Sequence, residues 1–259
     1  MNKIDLLFQK KNKNVLCIYF TAGYPNVNST FKILKTLQSY KVDLIEIGIP
    51  YSDPICDGKI IQNSNKIALK NGMNLTLLLN QIKELKKKIH TPIILMGYFN
   101  QIYKFGVNVF LKECNKIGIS GLIFPDLPVD LFIKEYKNLF YKYSLHLIFL
   151  ITPQTSNSRI LFLSKITGGF LYLVSSNSIT GKICSFGKDQ LSFFERIKKL
   201  SITVPKLIGF GINNRVTFNL ACKYANGGII GSSFINSLDL DEKKLDKSIS
   251  KYIINIQNK

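Results

Sequence analysis

The chain has 259 residues, 46% hydrophobic and 12% aromatic, enough for one large core and, by length alone, for one or two domains. Its formal charge of +19 rests on lysine, with Arg159, Arg196 and Arg215 the only arginines, which argues against a nucleic-acid binder built on arginine forks and exposed stacking aromatics. No apolar run approaches the roughly 20 residues of a membrane helix, and Cys17, Cys56, Cys114, Cys184 and Cys222 lack CxxC or Cys/His spacing, which speaks against a disulfide framework or zinc site and for a reducing cytoplasm.

The opening segment, Met1 to Asn14, is basic with one short apolar stretch and predicts an amphipathic helix rather than a signal peptide. Strands are predicted at Val15 to Phe20, Leu44 to Ile47, Pro92 to Met96, Gly121 to Phe124, Leu145 to Ile151, Phe170 to Val174, Lys206 to Ile208 and Gly228 to Ile230. Between them, sets such as Leu78, Ile82, Leu85, Ile89 and Phe132, Tyr136, Leu139, Tyr143 step by three and four along one helix face, while Lys83, Lys86, Lys87 and Lys88 take the solvated one. Leu245, Ile249, Tyr252, Ile253 and Ile256 close the series. Strands that are apolar throughout imply burial on both faces, and helical crossovers imply parallel pairing. Eight such units with no Pro-, Gly- or Ser-rich linker predict an α/β fold, a single-domain (β/α)8 TIM barrel over residues 1–259 with an extra N-terminal helix. A doubly wound sheet competes, but no GxGxxG follows the first strand.

The run Asp43 to Ser64 carries the chemistry: an apolar strand ends on Glu46, and a Pro/Gly turn brings back Asp57. An ionised side chain among Leu44, Ile45, Ile47 and Ile49 is costly to bury unless it is paired or its pKa moves, and perturbed acids gather at functional sites. From the strand alone, a structural ion pair is the open alternative. In a barrel the loops after the strands build the active face. There the chain places Thr21-Ala22-Gly23-Tyr24-Pro25, Gly97-Tyr98-Phe99-Asn100 and Pro125-Asp126-Leu127-Pro128. The late strands lead into Ser178-Ile179-Thr180-Gly181, Gly209-Phe210-Gly211-Ile212 and Gly231-Ser232-Ser233, small-residue turns whose N–H groups suit an anion. His90 falls just before the third strand and His146 at the start of the fifth, on the inactive side.

Phe20-Thr21-Ala22-Gly23-Tyr24-Pro25, the block Glu46 to Pro54, Asp57-Gly58, Ile61-Gln62, Tyr98-Phe99-Asn100, Pro125-Asp126-Leu127-Pro128, Thr180-Gly181, Gly209 to Ile212 and Gly231-Ser232 together resemble the tryptophan synthase alpha chain family. The likeness runs in order from about residue 4 to about residue 256, and EIGIPYSDP followed by DG is its specific part. It implies a lyase of tryptophan biosynthesis that cleaves indole-3-glycerol phosphate to indole and glyceraldehyde 3-phosphate by a retro-aldol step. It further implies no metal or cofactor in this chain, and a pyridoxal phosphate-dependent beta chain that receives the indole in an α2β2 heterotetramer. Glu46 would be the general acid/base and Asp57 would take the indole N–H, with room between them for a flat heterocycle. Tyr19, where the family commonly has Phe, Tyr98 and Tyr172 would line the pocket. Thr180 would bond Asp57 on loop closure, and Gly181, Gly211, Gly231 and Ser232 would hold the phosphate. The loop Pro50 to Asp57, with Asp53 as a charge contact, would dock the partner.

Two departures stand out. Lys59 replaces the family's proline after Asp57-Gly58 and is a candidate partner for a nearby carboxylate, and Ser176-Asn177-Ser178 replaces a stretch that often carries arginine and glycine. Both fall on moving loops, so retained chemistry with altered closure and coupling is expected. Another phosphate-binding barrel enzyme, or a non-catalytic barrel that activates a partner, are the alternatives; the second gives no reason to keep both acids.

Overall fold

The computed structural model describes residues 1–55, 57–175 and 186–257. Among them the strands are β1 (Val15–Thr21), β2 (Leu44–Gly48), β3 (Ile93–Met96), β4 (Gly121–Ile123), β5 (His146–Leu147), β6 (Leu150–Ile151), β7 (Leu171–Val174), β8 (Lys206–Gly209) and β9 (Gly227–Ile230). All pair in parallel, in the order β5-β4-β3-β2-β1-β9-β8-β7-β6. Eight runs were expected, and the ninth label arises because the fifth run is divided. Its first half pairs with β4 and its second with β7. Within that run the Ile148 N–H donates to the Leu122 carbonyl at 3.0 Å, and the Phe149 carbonyl accepts from the Tyr172 N–H at 3.0 Å. One stretch of chain therefore serves both edges, and the sheet closes on itself as a TIM barrel.

Closure explains why the strands read as unbroken apolar runs: each has one face toward the barrel axis and one toward the helices. Along β1, Val15, Cys17 and Tyr19 join an inner cluster with Leu44, Ile94, Ile123, Phe170 and Ile229. Leu16, Ile18 and Phe20 alternate with them and join the larger layer beneath the helices. The stepped apolar sets fall on helix Leu75–Leu85, on the consecutive helical pieces Val129–Leu131, Phe132–Tyr136 (a π-turn) and Lys137–Lys142, and on helix Glu242–Gln257, with Ile89 and Tyr143 just past the ends of the first two. The extra N-terminal helix, Lys3–Lys10, plugs the base of the barrel. Ile4 is fully buried, and the Phe8 ring centroid lies 6.1 Å from that of Phe170. The Asn2 side chain caps this helix and donates to the Ser120 carbonyl at 2.7 Å, while Asp5 pairs with His146 at 2.8 Å. His146 thus belongs to the end of the barrel away from Glu46, as its place in the sequence predicts. No described helix is long and apolar enough to cross a membrane.

Candidate active site

The β1–β2 register sets Tyr19 beside Glu46 and Thr21 beside Gly48. Because Leu44 and Glu46 alternate with Ile45 and Ile47, the pleat that sends the two isoleucines under the helices sends Glu46 into the barrel. The Glu46 side chain is fully buried, and neither carboxylate oxygen has a hydrogen-bond partner among the described residues. That removes the ion-pair alternative. Desolvation first and the charge of Asp57 second push its pKa up to about 8. Asp57 comes from the loop after β2, and burial lifts its carboxyl to about 6. Its backbone carbonyl accepts from the Gln62 amide at 2.9 Å, and its N–H donates to Pro54 at 3.0 Å, which fixes the turn just ahead of helix Lys59–Lys70.

Tyr19, Glu46, Asp57, Tyr172, Gly231 and Ser232 line one cavity, together with Ile61, Met96, Phe210 and Ile229. Glu46 is the strongest charge acting on Tyr172 and Asp57 the strongest on Tyr19; in both phenols burial is the larger cause of a pKa pushed well above 10. The two rings need the glycines beside them. A Cβ on Gly48 would overlap the Tyr19 hydroxyl, and one on Gly209 would overlap Tyr172. The cavity itself measures about 40 Å³. That is room for about one water, so the space expected for a flat heterocycle is closed down by the side chains around it.

Other sequence candidates stand differently. Tyr98 is not on the cavity wall; its ring stacks on Tyr51 with centroids 4.6 Å apart. Gly211 is also off the wall. It follows Phe210, both with positive φ, in a turn held where the Ser175 hydroxyl meets the Phe210 carbonyl at 2.9 Å. That turn aims Phe210 into the cavity, a contribution hidden in the sequence because a positive φ at phenylalanine has no sequence signature. Thr180, Gly181 and Ser176-Asn177-Ser178 lie outside the described residues. Lys59, a candidate partner for a nearby carboxylate, opens helix Lys59–Lys70 as an exposed side chain and makes no ion pair among the described residues. At the first helical position its side chain extends into solvent, where a salt bridge gains little. Ile55, on the same loop, is 83% exposed.

A family model described as tryptophan synthase alpha chain matches residues 7–259. The tryptophan synthase alpha chain of Karelsulcia muelleri is 54% identical over 253 residues, covering 98% of each chain. That of Flavobacterium johnsoniae is 51% identical, covering 92% of this chain and 94% of the relative. Among solved structures, a mutant tryptophan synthase alpha-subunit from Pyrococcus furiosus superposes with a TM-score of 0.87 at 33% identity, covering 96% of this chain and all of that one. Mycobacterium tuberculosis tryptophan synthase gives 0.88 at 25% identity, covering 99% and 97%.

Proposed function

The chain belongs to the tryptophan synthase alpha chain family, and from that premise we propose how its two cavity-lining acids carry the family's lyase reaction. The reaction is cleavage of indole-3-glycerol phosphate to indole and glyceraldehyde 3-phosphate, in tryptophan biosynthesis. The supporting observation is the pair of carboxyls on one cavity with pKa values of about 8 and about 6. At pH 7, between the two values, Glu46 is the acid that keeps its proton and Asp57 the one that carries the charge. Two acids held apart in this way carry separate roles.

Glu46 delivers its proton to the indole ring carbon that bears the glycerol chain. Asp57 faces the ring N–H and stabilises the positive charge that spreads to that nitrogen. The Glu46 carboxylate so formed takes the proton of the adjacent glycerol hydroxyl; the electron pair of that O–H bond becomes the aldehyde carbonyl, and the carbon–carbon pair returns to the ring. Both protons travel on carboxylates, so this reading needs no metal or cofactor in the chain and leaves pyridoxal phosphate to a beta-chain partner. Gly231 and Ser232, at the end of β9, sit where the phosphate is cradled by backbone N–H groups; Gly211, one strand earlier, and Gly181 would complete the cradle. Tyr19 and Tyr172 form the aromatic walls, and Tyr98 stacks on Tyr51.

A bicyclic ring does not fit in about 40 Å³. Binding therefore moves the Asp57 loop outward and closes it again over the substrate, with Thr180 meeting Asp57 on closure, a gating step of the kind common in barrel enzymes. The same loop carries Asp53 and the exposed Ile55 on its outer side, a surface suited to a beta chain in an α2β2 complex, through which loop position and partner are coupled. Glu46→Gln tests the assignment. It keeps the shape of the site and removes the proton donor, so kcat falls about 10² to 10⁴-fold while a substrate analogue still binds. Near-normal cleavage by this variant would refute the role of Glu46.

A further inference from the structure

Ser175 follows directly on β7 and is a fully buried hydroxyl, at 0% exposure, that the mechanism above leaves unused. Its oxygen lies 2.9 Å from the Phe210 carbonyl and 3.2 Å from the Gly209 carbonyl, both of which can only accept. Its remaining neighbour is the Gln190 amide. The oxygen of that amide accepts from the Gly187 N–H at 2.8 Å, so the end facing Ser175, at 3.3 Å, is the nitrogen, a donor. A hydroxyl has a single proton. With a donor on the Gln190 side, that proton goes to the turn after β8, where the Phe210 oxygen is the nearer acceptor. The turn needs such a hold: Phe210 and Gly211 have φ of 67° and 73°, and glycine takes either sign of φ, so the peptide joining the two residues is free to face either way.

A trans peptide carries its C=O and its N–H on opposite sides. Because the Phe210 carbonyl turns to Ser175, the N–H of the same peptide, that of Gly211, turns away from it. In the sheet β8 lies between β7 and β9. Away from Ser175, at the end of β7, is therefore toward the end of β9, where Gly231 and Ser232 line the cavity. Gly209 pairs with Ile229, so Gly211 and Gly231 stand the same two residues past a paired position. The Gly211 N–H donates no hydrogen bond among the described residues. We propose that Ser175 is a positioning residue: by holding the Phe210 carbonyl it aims the Gly211 N–H toward the Gly231–Ser232 turn, as a donor to the substrate phosphate. The inference rests on the phosphate role given to these residues above and adds the group that orients one of the donors. Ser175 acts from behind the turn and is not on the cavity wall. Its effect is to keep a carbonyl oxygen, which would repel an anion, off the face where an N–H is needed.

Ser175→Ala removes the hold and lets the peptide between Phe210 and Gly211 flip. The test is calorimetric binding of the two halves of the substrate to the full chain: glycerol phosphate, which carries the anion, and indole, which does not. In Ser175→Ala the Kd for glycerol phosphate should rise about tenfold, the lower end of what one hydrogen bond to a charged group contributes, while the Kd for indole stays within about twofold of wild type. With indole-3-glycerol phosphate the same variant should raise KM about tenfold and leave kcat within about twofold, as for binding lost equally from substrate and transition state. Ser175→Cys fills the site with a weaker donor and should show the same selectivity at smaller size; it carries the test if the alanine variant does not fold. A serine that only braces the fold weakens both ligands alike or lowers kcat through the folded fraction, and either result overturns the proposal. So does unchanged affinity for both ligands. Wild-type protein measured in parallel separates the two questions: a wild type that binds indole but not glycerol phosphate refutes the phosphate reading and the proposal with it, whereas a wild type that binds both, with no selective loss in the variants, refutes only the role of Ser175.

Discussion

Glu46 should make the protein less stable than its amide variant at high pH, by an amount that follows from its burial. Below pH 4.5, its ordinary value, the carboxyl is neutral in both folded and unfolded chains; above about 8 it is ionised in both. Between those limits the unfolded chain has released the proton and the folded chain has kept it. The folded state then binds more protons, so stability falls as pH rises, by about 1.4 kcal/mol per pH unit. From pH 5 to the folded value of about 8 this amounts to about 4 kcal/mol, with no further loss above it. Full burial, with no hydrogen-bond partner among the described residues, leaves that cost without an offset among them. Glu46→Gln cannot ionise, and the packing cost of its amide does not depend on pH. Urea unfolding of both proteins at pH 5, 7 and 9 should show the variant gaining about 4 kcal/mol on the wild type across the series, even as its cleavage activity is lost. A difference in unfolding free energy that stays constant from pH 5 to pH 9 would refute the view that Glu46 is held as a neutral acid by desolvation.

The same two carboxyls predict a bell-shaped profile of kcat/KM, with apparent limbs near 6, where Asp57 gains a proton, and near 8, where Glu46 loses one; Asp57→Asn should abolish the acid limb, and its persistence would reassign it. Gly48→Ala places a Cβ on the Tyr19 hydroxyl and should raise KM, with a stability cost of about 1–3 kcal/mol in urea melts. At the opposite end of the barrel, Phe8→Ala removes a ring packed near Phe170 and should cost about 3 kcal/mol of unfolding free energy while leaving kcat unchanged. A parallel fall in kcat would mean that the N-terminal plug shapes the site.

Which elements were legible depends on how local their causes are. The strands could be placed from apolar runs because a parallel strand in a closed barrel is covered on both faces, and the helices from steps of three and four because one face of each meets the sheet. Glu46 stood out as an acid among aliphatic neighbours, and Asp57 by its place in the EIGIPYSDP and DG block. The division of the fifth run was not legible, since it comes from pairing with β4 on one side and β7 on the other, partners distant in sequence. Neither was the place of Tyr98, which the sequence puts at a strand end but which packing sets against Tyr51 rather than on the cavity wall. Nor was the setting of Lys59, a candidate partner for a carboxylate, which is exposed at the first position of its helix and unpaired among the described residues.

The order of residues alone determined the barrel, the end of it that holds the chemistry, and the two acids, because alternation along a strand and turn residues after it are properties of neighbouring positions. Tertiary structure alone decided how far burial raises the pKa of each acid and which side chains share the small cavity. Desolvation and free volume depend on side chains from β1, β2, β7, β9 and helix Lys59–Lys70 meeting at one point, and no single stretch of sequence contains that point.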